Sequence, residues 1–184
     1  MSDNITNNND STDIPCGNHI VQYTSEYSLC TGCVSCQIMC GLSHEGYTGR
    51  TNSRIQVDLN AHSLIHHVLP CMQCKDHPCY EACPKKDEAM CIDPNTGIVY
   101  INEENCIGCG KCQKNCHFTP SRIQMKKNQK RKEWKAVKCD LCRGNVDGPQ
   151  CIKWCPVRCI GLSKDSQMTP DGIRPIIKEG EENA

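Results

Sequence analysis

Cys106, Cys109, Cys112 and Cys116 stand with two, two and three residues between them, and glycines occupy positions 108 and 110. Thiolates at these intervals suit one small iron–sulfur cube. A loop with two residues between ligands can wrap three of its corners. Gly108 and Gly110 let the backbone take the turn angles this needs and let N–H groups approach the sulfurs. The fourth cysteine lies one helical turn further on, where it can reach a neighbouring cluster. Cys30, Cys33, Cys36 and Cys40 repeat the same spacing. Cys71, Cys74, Cys79 and Cys83 widen the middle gap to four residues. Cys139 and Cys142 are followed by an eight-residue insertion, then Cys151 and Cys155.

The rest of the composition explains why ligation must carry the fold. Only 4% of the chain is aromatic, with the single Phe118. A conventional core would be thin for 184 residues, leaving the 19 cysteines to hold the structure. A disulfide scaffold would need an oxidising compartment. The start, residues 1–13, is polar and Asn-rich, with no basic region and no apolar run, so no secretory signal is expected. The odd cysteine count also fits disulfides poorly. Zinc sites usually pair two separated cysteine couples rather than runs of four. Iron–sulfur ligation therefore leads both. No apolar run approaches the ~18 residues of a membrane span, so the expected location is cytoplasmic, although a twin-arginine partner could carry the protein across a membrane. The formal net charge is +0, and bound clusters would make the protein acidic, which gives no support for nucleic-acid binding.

The elements that must position these runs are short. Residues 21–23, 53–57 and 66–69 alternate as strands do. His66 and His67 read as half-exposed strand residues, and His77 serves the turn before Pro78. Residues 93–97 form a turn into a strand at 98–101. Strands at 122–126 and 133–138 flank a basic turn at 127–132. That turn is either a solvated hairpin tip or a docking point for an acidic face. Pro84 and Pro156 stop helical turns after their cysteines, whereas Gly41 and His117 stand after Cys40 and Cys116. Cys16, Cys91 and Cys159 lie outside the runs: Cys16 reads as a free thiol rather than a ligand, Cys91 as a buried thiol, and Cys159 as a small buried residue that could instead replace a ligand.

The stretch from Cys83-Pro84 through the glycine turn and β-branched strand to Cys106 resembles the internal order of a bacterial two-cluster ferredoxin. It joins the second and third runs as one unit, and the first and fourth are left to form a second unit wrapped around it. Exchange of the fourth cysteine within each unit then gives four sets. They are Cys30, Cys33, Cys36 with Cys155; Cys139, Cys142, Cys151 with Cys40; Cys71, Cys74, Cys79 with Cys116; and Cys106, Cys109, Cys112 with Cys83. The expected fold is α+β, with two ferredoxin-like units of short hairpins and helices nested in sequence. The expected divisions are a disordered tail at 1–15, one unit at 16–69 plus 117–163, the other at 70–116, and a C-terminal tail at 164–184.

Over residues 27–162 the order of runs resembles the four-cluster iron–sulfur subunits of the dimethyl sulfoxide reductase and formate dehydrogenase type. The short length and the Cys30…Cys40…His44-Glu-Gly46…Ser53-Arg-Ile55 pattern are similar to the small members that accompany tungsten aldehyde oxidoreductase-type enzymes, such as tungsten benzoyl-CoA reductase. Subunits accompanying carbon monoxide dehydrogenase or hydrogenase look similar too. The resemblance implies four 4Fe-4S clusters relaying electrons to or from a tungsten- or molybdenum-containing catalytic subunit, with a further redox subunit or ferredoxin at the other end. It also implies that the Cys30, Cys33, Cys36 end faces the catalytic subunit and the Cys106, Cys109, Cys112 end is distant. A free soluble polyferredoxin and a structural iron–sulfur module are the competing readings. The sequence offers no nucleophile–base set and no dinucleotide fingerprint, so catalysis by this chain alone is not expected.

Overall fold

Short strands, paired two by two, carry the cysteine loops between them. The computed structural model describes residues 16–24, 30–127, 132–169 and 172–176. The expected tail at 1–15 and the tip of the basic turn at 128–131 lie outside the described residues.

β1 (Ile20–Gln22) pairs antiparallel with β8 (Ile160–Leu162), so the two ends of the outer unit meet, with Val21 opposite Gly161. Three hairpins fill the interval. β2 (Gln56–Asp58) pairs with β3 (His67–Leu69), β4 (Met90–Ile92) with β5 (Val99–Ile101), and β6 (Ile123–Lys127) with β7 (Trp134–Lys138). The strand expected at 53–57 begins later. The sealed Ser53 hydroxyl donates to the Ile55 carbonyl at 2.6 Å and accepts from its N–H, holding a turn there instead. The turn before β5 has the expected chemistry. The Asp93 carboxylate accepts from Asn95 and Thr96 N–H at 3.0 Å, and Gly97 takes the left-handed angle.

Helices are one turn long except α1. α1 (Ser35–Glu45) carries Cys36 and Cys40 and continues to Glu45, because glycine rather than proline follows Cys40. Gly46 ends it in the left-handed conformation, with its N–H on the Leu42 carbonyl at 3.0 Å. α2 (Pro78–Glu81) and α4 (Gln150–Lys153) stop short of the Cys-Pro pairs that follow them. α3 (Lys111–Lys114) ends before Cys116 even without a proline there.

Two cores result, giving the α+β fold of two nested ferredoxin-like units. The larger gathers Ile20, Ile55, Val57, Val68, Leu141 and Ile160 with buried cysteines of the first and fourth runs. The smaller gathers Met90, Val99, Cys112, Ile123 and Ala136. Ile123 and Ala136 belong to the β6–β7 hairpin, which the sequence divisions assigned to the outer unit. Their apolar faces pack on β4 and β5 instead. Part of the expected C-terminal tail is also ordered otherwise. A 3-10 turn (Ser163–Asp165) leads into a hairpin of β9 (Ser166–Thr169) and β10 (Gly172–Pro175), and Ile173 exchanges hydrogen bonds with Thr24.

Gly41→Pro tests the cause of the long helix. The ring would lose the helical N–H and press on the preceding turn, costing about 3 kcal/mol. A lowered thermal midpoint of the anaerobic protein, with loss of helical circular dichroism, is the expected reading.

Candidate metal centres

Loops followed by short helices, one turn long except α1, place the cysteines around four cavities. One cavity is ringed by Cys30, Cys33, Cys36 and Cys155, and a second by Cys40, Cys139, Cys142 and Cys151. The third is ringed by Cys71, Cys74, Cys79 and Cys116, and the fourth by Cys83, Cys106, Cys109 and Cys112. Each takes three cysteines from one run and the last cysteine of another, and these are the four groupings that the sequence suggests. None of the nineteen cysteines is in a disulfide.

The loops hold left-handed backbone where the chain must turn around a cavity. Val34, Gln73 and Leu141, none of them glycine, sit at φ 56°, 48° and 56°. Such angles carry strain that persists only where the surroundings fix it. His77 has the same conformation at the start of α2, which agrees with a turn role. Gly108 has φ 68°, and a Cβ there would lie 2.1 Å from the Trp134 carbonyl oxygen.

The residues present fit an iron–sulfur cluster in each cavity. The sulfurs stand around a space, and backbone N–H groups point at them. Arg54 N–H donates to Cys40 Sγ at 3.2 Å, Arg122 N–H to Cys116 Sγ at 3.4 Å, and Ala136 N–H to Cys106 Sγ at 3.4 Å. Such donors stabilise thiolate and sulfide charge. Bound clusters would supply one-electron transfer. The protein's part is to hold the sulfurs, shield them and set the local charge.

Burial dominates the protonation of the thiols. It pushes Cys36, Cys74 and Cys112 up to about 12. These thiols are therefore protonated in the metal-free protein at neutral pH, and ligation must expel their protons. Cys155 goes the other way, to about 6, chiefly through the hydrogen bond with Cys159. The two sulfurs are 3.6 Å apart. Cys159 is buried as expected, but it also lines the first cavity and is a fifth sulfur there. Cys91 is buried away from the cavities, donating to the Asp87 carbonyl. Cys16 does not stand apart as its isolated place in sequence suggests. It forms a β-bridge with Cys74 of the third set, and its side chain hydrogen-bonds that cysteine.

The sets neighbour one another in order. Cys36 acts on Cys151, Cys71 on Cys139, and Cys79 on Cys112. The adjacency runs from the first set through the second and third to the fourth. Cys33 of the first set and Cys109 of the fourth are exposed.

Polar groups that the spacing does not announce brace the second set. Asp140 follows Cys139 and takes His44 Nε2 at 3.0 Å and Arg54 Nη1 at 3.0 Å. Burial alone would raise the Asp140 carboxyl, but the His44 bond and the Arg54 charge outweigh it and hold it below the usual range. Arg54 also binds Glu103 at 2.9 Å and so ties the second set to the inner unit. Its strand-like surroundings gave no sign of this in the sequence.

A 4Fe-4S dicluster domain family matches residues 64–165, more than half of the chain. The polyferredoxin-like subunit of an aliphatic sulfonate oxidoreductase from Pyrococcus furiosus is 40% identical over 68% of this chain and 66% of its own length, just under two thirds. Electron transport protein HydN of Escherichia coli K12 is 28% identical over 82% of this chain and 93% of its own. Among solved structures, the BamBC active-site complex of benzoyl coenzyme A reductase includes a chain 20% identical to this one, with a TM-score of 0.42 over 79% of this chain and 81% of that chain.

Gly108→Ala would meet both the left-handed strain and the Trp134 carbonyl, each worth about 1–3 kcal/mol. The expected outcome is selective damage to the site formed by Cys83, Cys106, Cys109 and Cys112. The check is one cluster's loss of iron and visible absorbance in the reconstituted variant.

Proposed function

The chain belongs to the 4Fe-4S dicluster family, and on that premise we propose that it relays electrons through four clusters as a subunit of a larger oxidoreductase. It is an iron–sulfur electron-transfer protein. The finer reading gives each of the four cysteine sets one 4Fe-4S cluster. The observation that carries it is the ordered adjacency of the sets, with an exposed cysteine at each end. A row of redox sites shortens every electron step, and a row with two exposed ends suits a donor at one and an acceptor at the other.

The partner is a catalytic subunit containing tungsten or molybdenum, docked near Cys30, Cys33 and Cys36. A further redox subunit or ferredoxin meets the end at Cys109. The motif resemblance supports the metal of the partner, and the Pyrococcus furiosus relative, itself named a subunit of an oxidoreductase, supports the complex. The divisions follow the same reading: an inner unit around the second and third runs, and an outer one around the first and fourth. Among the described residues no helix is long and apolar enough to cross a membrane.

Protein prepared without oxygen should hold about sixteen irons, four per cluster, with matching acid-labile sulfide. It should pass electrons to and from low-potential dyes while transforming no organic substrate. Purification from the native cell with metal analysis tests the partner. A chain that runs alone, free of any other metal, would make it a diffusing carrier, and turnover of a substrate by the chain alone would overturn the relay.

Cys159 changes what a ligand substitution should show. In Cys155→Ser the fifth sulfur stands beside the lost one, so the iron count should stay near wild type with an altered spectrum. The double variant Cys155→Ser/Cys159→Ser should lose about four irons. Cys159→Ser alone should keep them all.

A further inference from the structure

Lys138 ends β7 directly before Cys139. It is 2% exposed, the largest of the fully buried side chains. Its ammonium donates to the Val99 carbonyl and lies 3.4 Å from the Gln73 amide oxygen. Gln73 is locked in turn. It donates to the Cys139 carbonyl at 2.9 Å and accepts from Val99 N–H at 3.0 Å. The side chain also lines the third cavity with Cys71 and Cys79, and the residue adjoins Cys139 of the second set. Among the described residues, none of these partners is a carboxylate.

A buried ammonium is costly unless negative charge faces it. Two neutral oxygens do not supply that charge. The thiolate sets on either side do so once they hold clusters, and each set gains a further negative charge on reduction. Lys138 thus stands where the inner and outer units meet, at the middle step of the row. The strand fixes its place, since it lies opposite Ile123 in the β6–β7 ladder. In a dry interior a fixed charge acts strongly on its neighbours and is little screened by salt.

We propose that Lys138 sets the reduction potential of the two middle clusters, those of the Cys71 and Cys139 sets, by stabilising the extra electron there. The inference rests on the cluster reading above. The step is a gain of one electron from an external donor such as dithionite, with no bond made or broken and no proton moved. The positive charge favours the reduced form, so both middle potentials are raised. The sets ending in exposed Cys33 and Cys109 lie beyond them and receive less of this effect. The middle of the row becomes the place where an electron rests, and the ends remain the places where it is handed on.

The test compares full-length wild-type protein with Lys138→Met, both reconstituted with iron and sulfide. Titration with dithionite and mediator dyes is followed by electron paramagnetic resonance. Iron and sulfide contents should match. For two of the four clusters, the reduced-to-oxidised ratio at a fixed potential should fall at least tenfold in the variant, a shift of about 59 mV for a one-electron couple. The other two should move by less than this. Gln73→Glu fills the same space and sets a carboxylate against the ammonium. It should lower the same two potentials, and it decides the matter if Lys138→Met does not fold. Full iron with unmoved potentials would reduce Lys138 to a structural side chain and overturn the proposal. An equal shift of all four clusters would overturn its placement at the middle of the row. Wild-type protein that takes up no iron and sulfide would instead overturn the cluster reading, and the inference with it.

Discussion

Thiols packed inward set the terms for the rest of this fold. Six of the twelve buried members of the larger core are cysteines. A thiol buries little apolar area compared with leucine or phenylalanine, so this core gains much of its stability only when the sulfurs are ligated. The left-handed loop residues point the same way. Val34, Gln73 and Leu141 hold strained angles that a metal-free chain has little reason to keep. Fold and cofactor are therefore one equilibrium rather than two.

Gathering anionic ligands inside a small protein creates a second demand, for positive charge. The chain meets it with residues that the spacing of cysteines does not reveal. Arg54 sits beside Cys40 and is fixed by Asp140 and Glu103. Arg122 lies within reach of Cys116 and Cys71 and covers the Phe118 ring, 5.3 Å from its centre. Lys135 and Lys138 project from one strand into the interior, and Lys135 donates to the Cys106 carbonyl. A formal net charge of +0 thus includes cations set inside the fold beside the cysteine sites.

What the sequence made legible follows from what depends on local spacing. Runs of cysteine two or three residues apart constrain a loop directly, so the sixteen cavity-lining cysteines could be picked out, while their groupings came from the resemblance to a two-cluster ferredoxin. The Asp93 turn into β5 was legible for the same reason, because Asp and Gly act on their own backbone. Long-range packing was not legible. The β6–β7 hairpin turns its Ile123 and Ala136 toward the inner core, a choice made by faces that meet only in the folded chain. Strand β4 was hidden within the interval after Cys83. Cys16 reaches Cys74 through a bridge across 58 positions, the difference of their numbers. A lysine in a strand reads as solvent-facing, and nothing near Lys138 announces its burial.

The antiparallel meeting of β1 with β8 orders the birth of the molecule in time. A chain leaves the ribosome from its N-terminus at about 5–20 residues per second. The inner core and its two sulfur sets need nothing beyond residue 138, so they can close while the remainder is still being made. Among the cavity-lining cysteines, Cys30, Cys33, Cys36 and Cys40 emerge first and yet must wait for Cys139 to Cys155 before either outer set is complete. For those seconds the earliest of these sixteen thiols are the last to be sheltered. Oxygen or a stray soft metal arriving in that interval would find them open, which makes the outer unit the vulnerable half of the newborn protein.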